Sequence, residues 1–243
     1  MIVCVIGVLI SPNALAACED APAPGVNWTG CNKPGIDLSG KDLRGAVLIG
    51  TNLAGANLQR ARLDNADFQR ANLEGANLTR ARLFQARFVG GKLAKANFSG
   101  ARVFEGRFDR ISGEEALFTD ATLSKATFYG SSLSGADFSG ARIDHASFEE
   151  ADLYAARLTN AKGESADFTS AILEDADLSE SRLVRANFQR ARLLGASFRD
   201  SDLTRANLVE AELTDVELDG AILDNANWTD RRRCRPGSVG ECR

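Results

Sequence analysis

Few side chains in this sequence could do chemistry, and their spacing argues against most of it. His145 is the only histidine; it falls at a corner position of a repeated word and reads as a solvated side chain rather than a general base. Carboxylates such as Asp67, Asp137, Asp167 and Asp177 could pair for acid–base work. They recur at one fixed place, though, where a short acidic side chain satisfies backbone groups at turns. The sequence has no Gly-rich phosphate loop, nucleophile elbow or metal-ligand cluster. We expect no catalytic residue, no metal, no cofactor and no enzymatic activity.

Cysteine offers a different chemistry. Beyond Cys4, Cys18 and Cys31 precede the regular part of the chain, while Cys234 and Cys242 follow it, with none between. Two short-loop pairs at opposite ends read as two disulfides formed in an oxidising compartment. Neither pair has the C-x-x-C spacing of zinc or redox sites. Residues 1–17 fit that compartment. Ile2 to Ile10 is a short apolar run, Ser11-Pro12-Asn13 breaks it, and Ala14-Leu15-Ala16 supplies an A-x-A cleavage pattern. The expectation is a signal peptide and a periplasmic or secreted protein. An alternative reading takes Leu15-Ala16-Ala17-Cys18 as a lipobox, which would anchor a lipoprotein through Cys18 and leave Cys31 without a mate. No apolar run reaches the roughly 18 residues of a membrane span.

What must position all of these groups is a word of five residues. Every fifth residue from Trp28 to Trp228 is Leu, Phe, Ile, Val or Trp except Lys33, Gly113 and Gly163, and Ala usually stands two places before each. A helix rotates each fifth residue by about 140°, so no apolar stripe forms. A continuous strand throws an odd period to alternate faces. The pattern works only if the chain turns a corner once per word: first and third residues point inward, the second outward, and the last two make the corner. Phe68, Phe88, Phe108, Phe128, Phe148, Phe168 and Phe188 then recur every 20 residues, with Phe98, Phe118, Phe138 and Phe198 on a series offset by ten. Four sides per coil, with aromatic stacks on two opposite walls, is the simplest account.

Words such as Ala71-Asn72-Leu73, Ala136-Asp137-Phe138 and Ala206-Asn207-Leu208 resemble the pentapeptide repeat proteins. The resemblance implies an all-β, right-handed, quadrilateral parallel β-helix; its handedness comes from the family alone. About ten coils at strand spacing would make a rod of roughly 48 Å. We place the repeat at 26–230, an N-terminal cap at 18–35 and a C-terminal cap at 231–243. Trp28 and Trp228 sit on the Phe series and read as covers for the last rings of that stack, needed because a coil's open ends invite aggregation. Gly113 and Gly163 delete core side chains, so either local bulges form there or the repeat simply drifts.

Outside the core, Arg62, Arg82, Arg102, Thr122, Arg142, Lys162 and Arg182 share one series and predict a basic line parallel to the axis. Phe84 and Phe104 occupy equivalent corners beside it and predict two exposed rings side by side. Exposed aromatics flanked by cations make an interaction-site candidate, with Arg62, Arg82, Phe84, Arg102 and Phe104 as its members. Glu210, Glu212, Asp215, Glu217, Asp219 and Asp224 make the far end acidic, a gradient suited to end-to-end or dimeric association. A net charge of −4 gives no reason to expect nucleic acid as a partner. The leading expectation is a non-enzymatic exported structural or interaction module that meets a protein or an envelope component. The family resemblance implies a second, a DNA-mimic modulator of type II topoisomerases such as gyrase. The basic line spoils the continuous negative surface this would need.

Overall fold

The computed structural model describes residues 17–243; the expected signal segment, apart from Ala17, lies outside the described residues. Among them the chain forms no helix. It winds as a right-handed quadrilateral β-helix in which each second-position residue bridges in parallel to the residue 20 later, from Asn27↔Val47 through Asn207↔Asn227. The four sides are named here by their first core residue: the Trp28, Lys33, Leu38 and Leu43 faces.

One hydrogen-bond scheme repeats on every side. The core residue's N–H donates forward (Leu48 to the Asp67 carbonyl, 2.7 Å) and the second residue's N–H donates back (Asp67 to the Ala46 carbonyl, 2.9 Å). Nearly every corner closes as a β-turn, as in Ala46 N–H to the Leu43 carbonyl at 3.0 Å; at Phe104-Glu105 the chain only bends. The turn needs positive φ at its third residue. Every fifth residue from Gly25 to Asn225 has φ between 51° and 72°, whether it is Gly or not. L-residues tolerate this conformation at a cost of roughly 1–2 kcal/mol each, so lateral bonding and core burial impose the corner on Arg, Glu, Asp and even Ala155.

Ala and the larger apolar residues fill most of the interior, with Thr51, Ser131, Ser181 and Ser201 buried at four of the Ala positions. Along the Trp28 face, rings from Phe68 to Phe188 stack with centroids 4.6–5.1 Å apart. Phe98, Phe118 and Phe138 stack likewise on the Leu38 face. The two walls also touch across the axis, edge to face at 5.4–5.8 Å and 82–90°. Both geometries are favourable for a ring quadrupole, and they lock the coils together without a single polar contact.

No bulge forms at either core glycine. Lys162 bridges both Arg142 and Arg182, and Gly163 N–H donates to the Arg182 carbonyl at 2.9 Å, as any core residue would. The space is taken from above and below: a Cβ on Gly163 would meet Ile143 Cγ1 at 2.9 Å and Leu183 Cδ2 at 3.0 Å. Gly113 is closed instead by Ile111 of its own word and Leu133 of the next coil, at 3.1 Å each. Bulky neighbours supply the missing volume, and the rod stays regular.

At the C-terminal end the chain reverses. Residues 231–243 run antiparallel over the last coil, with bridges Ile222↔Val239 and Asn227↔Arg233, and so cover the Leu43 and Trp28 faces. On the other two faces Leu213, Val216 and Leu218 are half-buried.

Candidate functional site

The parallel register places second-position residues of consecutive coils directly over one another. On the Leu43 face this builds the column Arg62, Arg82, Arg102, Thr122, Arg142, Lys162, Arg182, closed by Asp42 below and Asp202 above. Where the second residue is Asn or Asp, its side-chain oxygen accepts the N–H two residues on, as Asp67 does for Gln69 (3.1 Å) and Asp137 for Ser139 (2.9 Å). These carboxylates are therefore turn caps. On the Leu43 face only Asp42 and Asp202 cap in this way. From Arg62 to Arg182 the second residue is a cation or Thr, so the turn N–H must look elsewhere.

Two of these N–H groups find carboxylates one coil below. Asp64, which is buried, accepts from Phe84 N–H at 3.3 Å while its other oxygen meets Arg82 Nη2 at 2.9 Å. Asp144 accepts from Glu164 N–H at 3.1 Å and lies 3.5 Å from Arg142. At the base of the column Asp42 binds Arg44 through both oxygens, each at 2.8 Å, and this holds its carboxyl down at about 2.

Of the five residues expected to form the interaction surface, Arg82, Phe84 and Arg102 come together, and the two rings do not lie exposed side by side. Phe84 is half-buried with Arg82 and Arg102 over its ring, at 5.2 and 5.6 Å from the centroid. Phe104 is the exposed ring, at 39%, with Lys125 5.3 Å from its centroid. Cation–π contact draws the guanidiniums over Phe84 and shields it. Arg62 turns to Asp42 at 3.3 Å. Sequence reasoning passed over Asp64 and Lys125; the 20-residue register carries the signal, since Asp64 lies one coil under Phe84 and Lys125 one coil over Glu105, to which it pairs at 3.9 Å.

His145 is exposed at its corner and shares an open depression with Arg142, Asp144, Lys162, Glu164 and Arg182. Among the described residues no cluster of His, Cys, Asp or Glu could hold a metal ion, and no helix is long and apolar enough to cross a membrane.

At the ends, Cys18 and Cys31 lie at disulfide distance with Cα atoms 5.5 Å apart, as do Cys234 and Cys242 at 4.9 Å. Trp28 is fully buried under the first coil with Lys33 Nζ 4.4 Å from its centroid. Trp228 is only half-buried, its N–H turned into a tight turn with the Arg232 carbonyl at 2.8 Å.

Comparison with known proteins agrees with this geometry. The family described as "Pentapeptide repeat region" matches residues 61–138. "Pentapeptide repeats (8 copies)" matches 35–65, 146–183, 164–200 and 181–220. No curated protein matches. Among solved structures, HetL, a pentapeptide repeat protein involved in heterocyst differentiation regulation from the cyanobacterium Nostoc sp. strain PCC 7120, is 27% identical. The match covers 86% of this chain and 92% of HetL with a TM-score of 0.52. QnrB1, a plasmid-mediated fluoroquinolone resistance protein, is 23% identical over 80% of this chain and 91% of its own, with a TM-score of 0.42. A pentapeptide repeat protein from the Arabidopsis thaliana thylakoid lumen is 27% identical over 50% and 69%, with a TM-score of 0.30.

Proposed function

The chain belongs to the pentapeptide repeat family, and on that premise we propose that it is a non-enzymatic, exported interaction module that presents the Leu43 face to a protein or envelope component. The observation that carries this reading is the contrast between faces. One column sets six cations in register between Arg62 and Arg182, interrupted only by Thr122, with Phe84 and Phe104 beside it. On the other three faces cations such as Arg87, Arg107, Lys92 and Arg157 are scattered among Asn, Asp and other residues. Rods of this kind work by surface, since every interior position is spent on packing.

Export is supported by the two cysteine pairs at disulfide distance, one at each end, in a chain with no other described cysteine. The Cys18–Cys31 distance also favours a disulfide over lipidation of Cys18. Cell fractionation with thiol counting tests this: the mature protein should appear in the periplasm or medium with no free thiol. Four free thiols on a cytoplasmic protein would sink it. A topoisomerase-directed role as a DNA mimic needs a negative surface along the rod, and the column Arg62 to Arg182 counts against it. In a gyrase supercoiling assay the protein should leave activity unchanged; dose-dependent inhibition would replace our reading with that one.

A further inference from the structure

The ladder of hydrogen bonds between coils stops on one half of the C-terminal end. Residues 231–243 cover the Leu43 and Trp28 faces of the last coil, but its Lys33 and Leu38 faces are bare. Among the described residues, the N–H groups of Leu213 and Leu218 have no acceptor there, and the carbonyls of Ala211 and Val216 have no donor. Leu213, Val216 and Leu218 lie half-buried along this edge. An open β-edge over apolar side chains is a template for another strand.

The tail carries a matching edge. Its Arg232 carbonyl and Cys234 N–H bond the last coil at 2.8 and 2.9 Å, and its Ser238 carbonyl and Gly240 N–H do so at 2.9 Å each. Arg233 and Val239 alternate with these, so their N–H and C=O groups point away from the rod, and all four are unpaired. Charge matches as well. The tail holds Arg231, Arg232, Arg233, Arg235 and Arg243 against one acid, Glu241, while the bare half carries Glu212, Asp215, Glu217 and Asp219. Glu217 and Asp219 are taken by Arg199, at 3.1 and 3.8 Å. Among the described residues Glu212, Asp215, Arg233 and Arg235 have no opposite charge within 4.0 Å.

We propose that two copies of this chain join tail to tail about a two-fold axis across the rod, each laying its tail on the other's bare half. The tail runs against its own last coil, and the two-fold reverses it again, so it runs parallel to the partner's coil, as every coil-to-coil pairing in the rod does. Arg233 then donates its N–H to the partner's Ala211 carbonyl and accepts from the partner's Leu213 N–H. Val239 does the same with the partner's Val216 and the partner's Leu218. The pitch lets both contacts close together. Each word climbs about 1.2 Å, a quarter of the strand spacing. The tail is one word higher over the Trp28 face than over the Leu43 face, and the Lys33 edge is one word lower than the Leu38 edge it must meet. Arg233 falls beside the partner's Glu212, and Arg235, at the corner, over the partner's Asp215. The pairing is isologous and closed, leaving no edge for a third copy. Head-to-tail stacking would instead bring the N-terminal cap, with Glu19 and Asp20, to the same acidic half, so charge opposes it.

The test is sedimentation equilibrium of the purified, oxidised chain, with hydrogen exchange followed across protein concentration. A monomer–dimer equilibrium with no larger species is expected. The amides of Leu213, Leu218, Arg233 and Val239 should gain protection as the dimer forms, while Asn32 N–H at the far end should not. Glu212→Arg and Arg233→Glu should each weaken association about tenfold, and the two together should restore it, since the swapped charges meet across the joint. Arg157→Gln, on the side of the rod, should change it less than twofold; thermal unfolding of each variant shows that the coil is intact. The proposal is overturned by a chain that stays monomeric up to roughly 1 mM, the weak end of specific association. Species larger than the dimer, a charge swap that fails to restore association, or a dimer whose Leu213 and Leu218 amides exchange as in the monomer would each overturn it too.

Discussion

The ammonium of Lys33 stands 4.4 Å from the centroid of the Trp28 ring, at the N-terminal edge of a stack in which every later face-mate is aliphatic or aromatic. The indole is fully buried, and its Nε1 has no partner. Its value is therefore area and shape rather than hydrogen bonding. Trp28→Ala should cost about 3–5 kcal/mol, while Trp28→Phe should keep most of the stability, because it deletes an unsatisfied donor along with the smaller loss of area. Urea unfolding gives the magnitudes, and hydrogen exchange at Val47, whose N–H is bonded to the Val26 carbonyl at 2.8 Å, shows whether the first coil frays.

Restoring the consensus at Gly163 should harm the protein. Ile143 and Leu183 already occupy the vacancy, so Gly163→Leu overpacks and should destabilise by about 1–3 kcal/mol. Combining it with Ile143→Ala should recover a large part of that loss. Thermal or urea denaturation of the single and double variants decides it; a stabilising single variant would mean the gap is unfilled.

Corners offer a cleaner measurement of backbone strain. A Cβ on Gly55 meets nothing within 4 Å, yet its φ is 66°. Gly55→Ala should therefore cost about 1–2 kcal/mol through conformation alone. The reverse change at an exposed corner without an ion pair, Arg190→Gly with φ 57°, should stabilise despite the entropy that glycine adds to the unfolded chain. Equal unfolding midpoints for Gly55→Ala and the parent would refute the argument.

Asp42 should titrate far below its ordinary 3.8. Hydrogen bonds from Arg44 favour the charged form and bring the carboxyl to about 2. A depressed value in the folded state means the associated stability is present above 3.8 and is lost as pH falls through about 2. NMR titration of the carboxyl should show this, and Arg44→Gln should return the midpoint toward 3.8.

The coil was legible because a strict period of five leaves no other way to hide an apolar side chain, and the 20-residue recurrence of Phe68 to Phe188 gave the number of sides. The outward role of Asp67 and Asp137 as turn caps followed from position within the word. What escaped was everything decided between coils. Phe84 looks like a free corner residue until Arg82 and Arg102 are seen folding over it. Gly163 looks like a defect until Ile143 and Leu183 are stacked above and below. The edge contacts between the two Phe walls depend on ring rotation, which no spacing encodes. Sidedness of the C-terminal cover was equally invisible, since Val239 and Arg233 carry no repeat signature.

The unbroken register of the coil makes the rod a device that can be lengthened only in fixed steps. Adding one five-residue word would rotate everything after it by a quarter turn. The Phe wall would then run into an aliphatic wall, while the tail, which pairs only with Ile222 and Asn227 of the last coil, would rotate with them. The column of cations would be cut and continued on a neighbouring face. Twenty residues, by contrast, add one coil and leave every wall and column in line. Length in such a protein is inherited in whole coils, and the reach of its surface is counted out the same way.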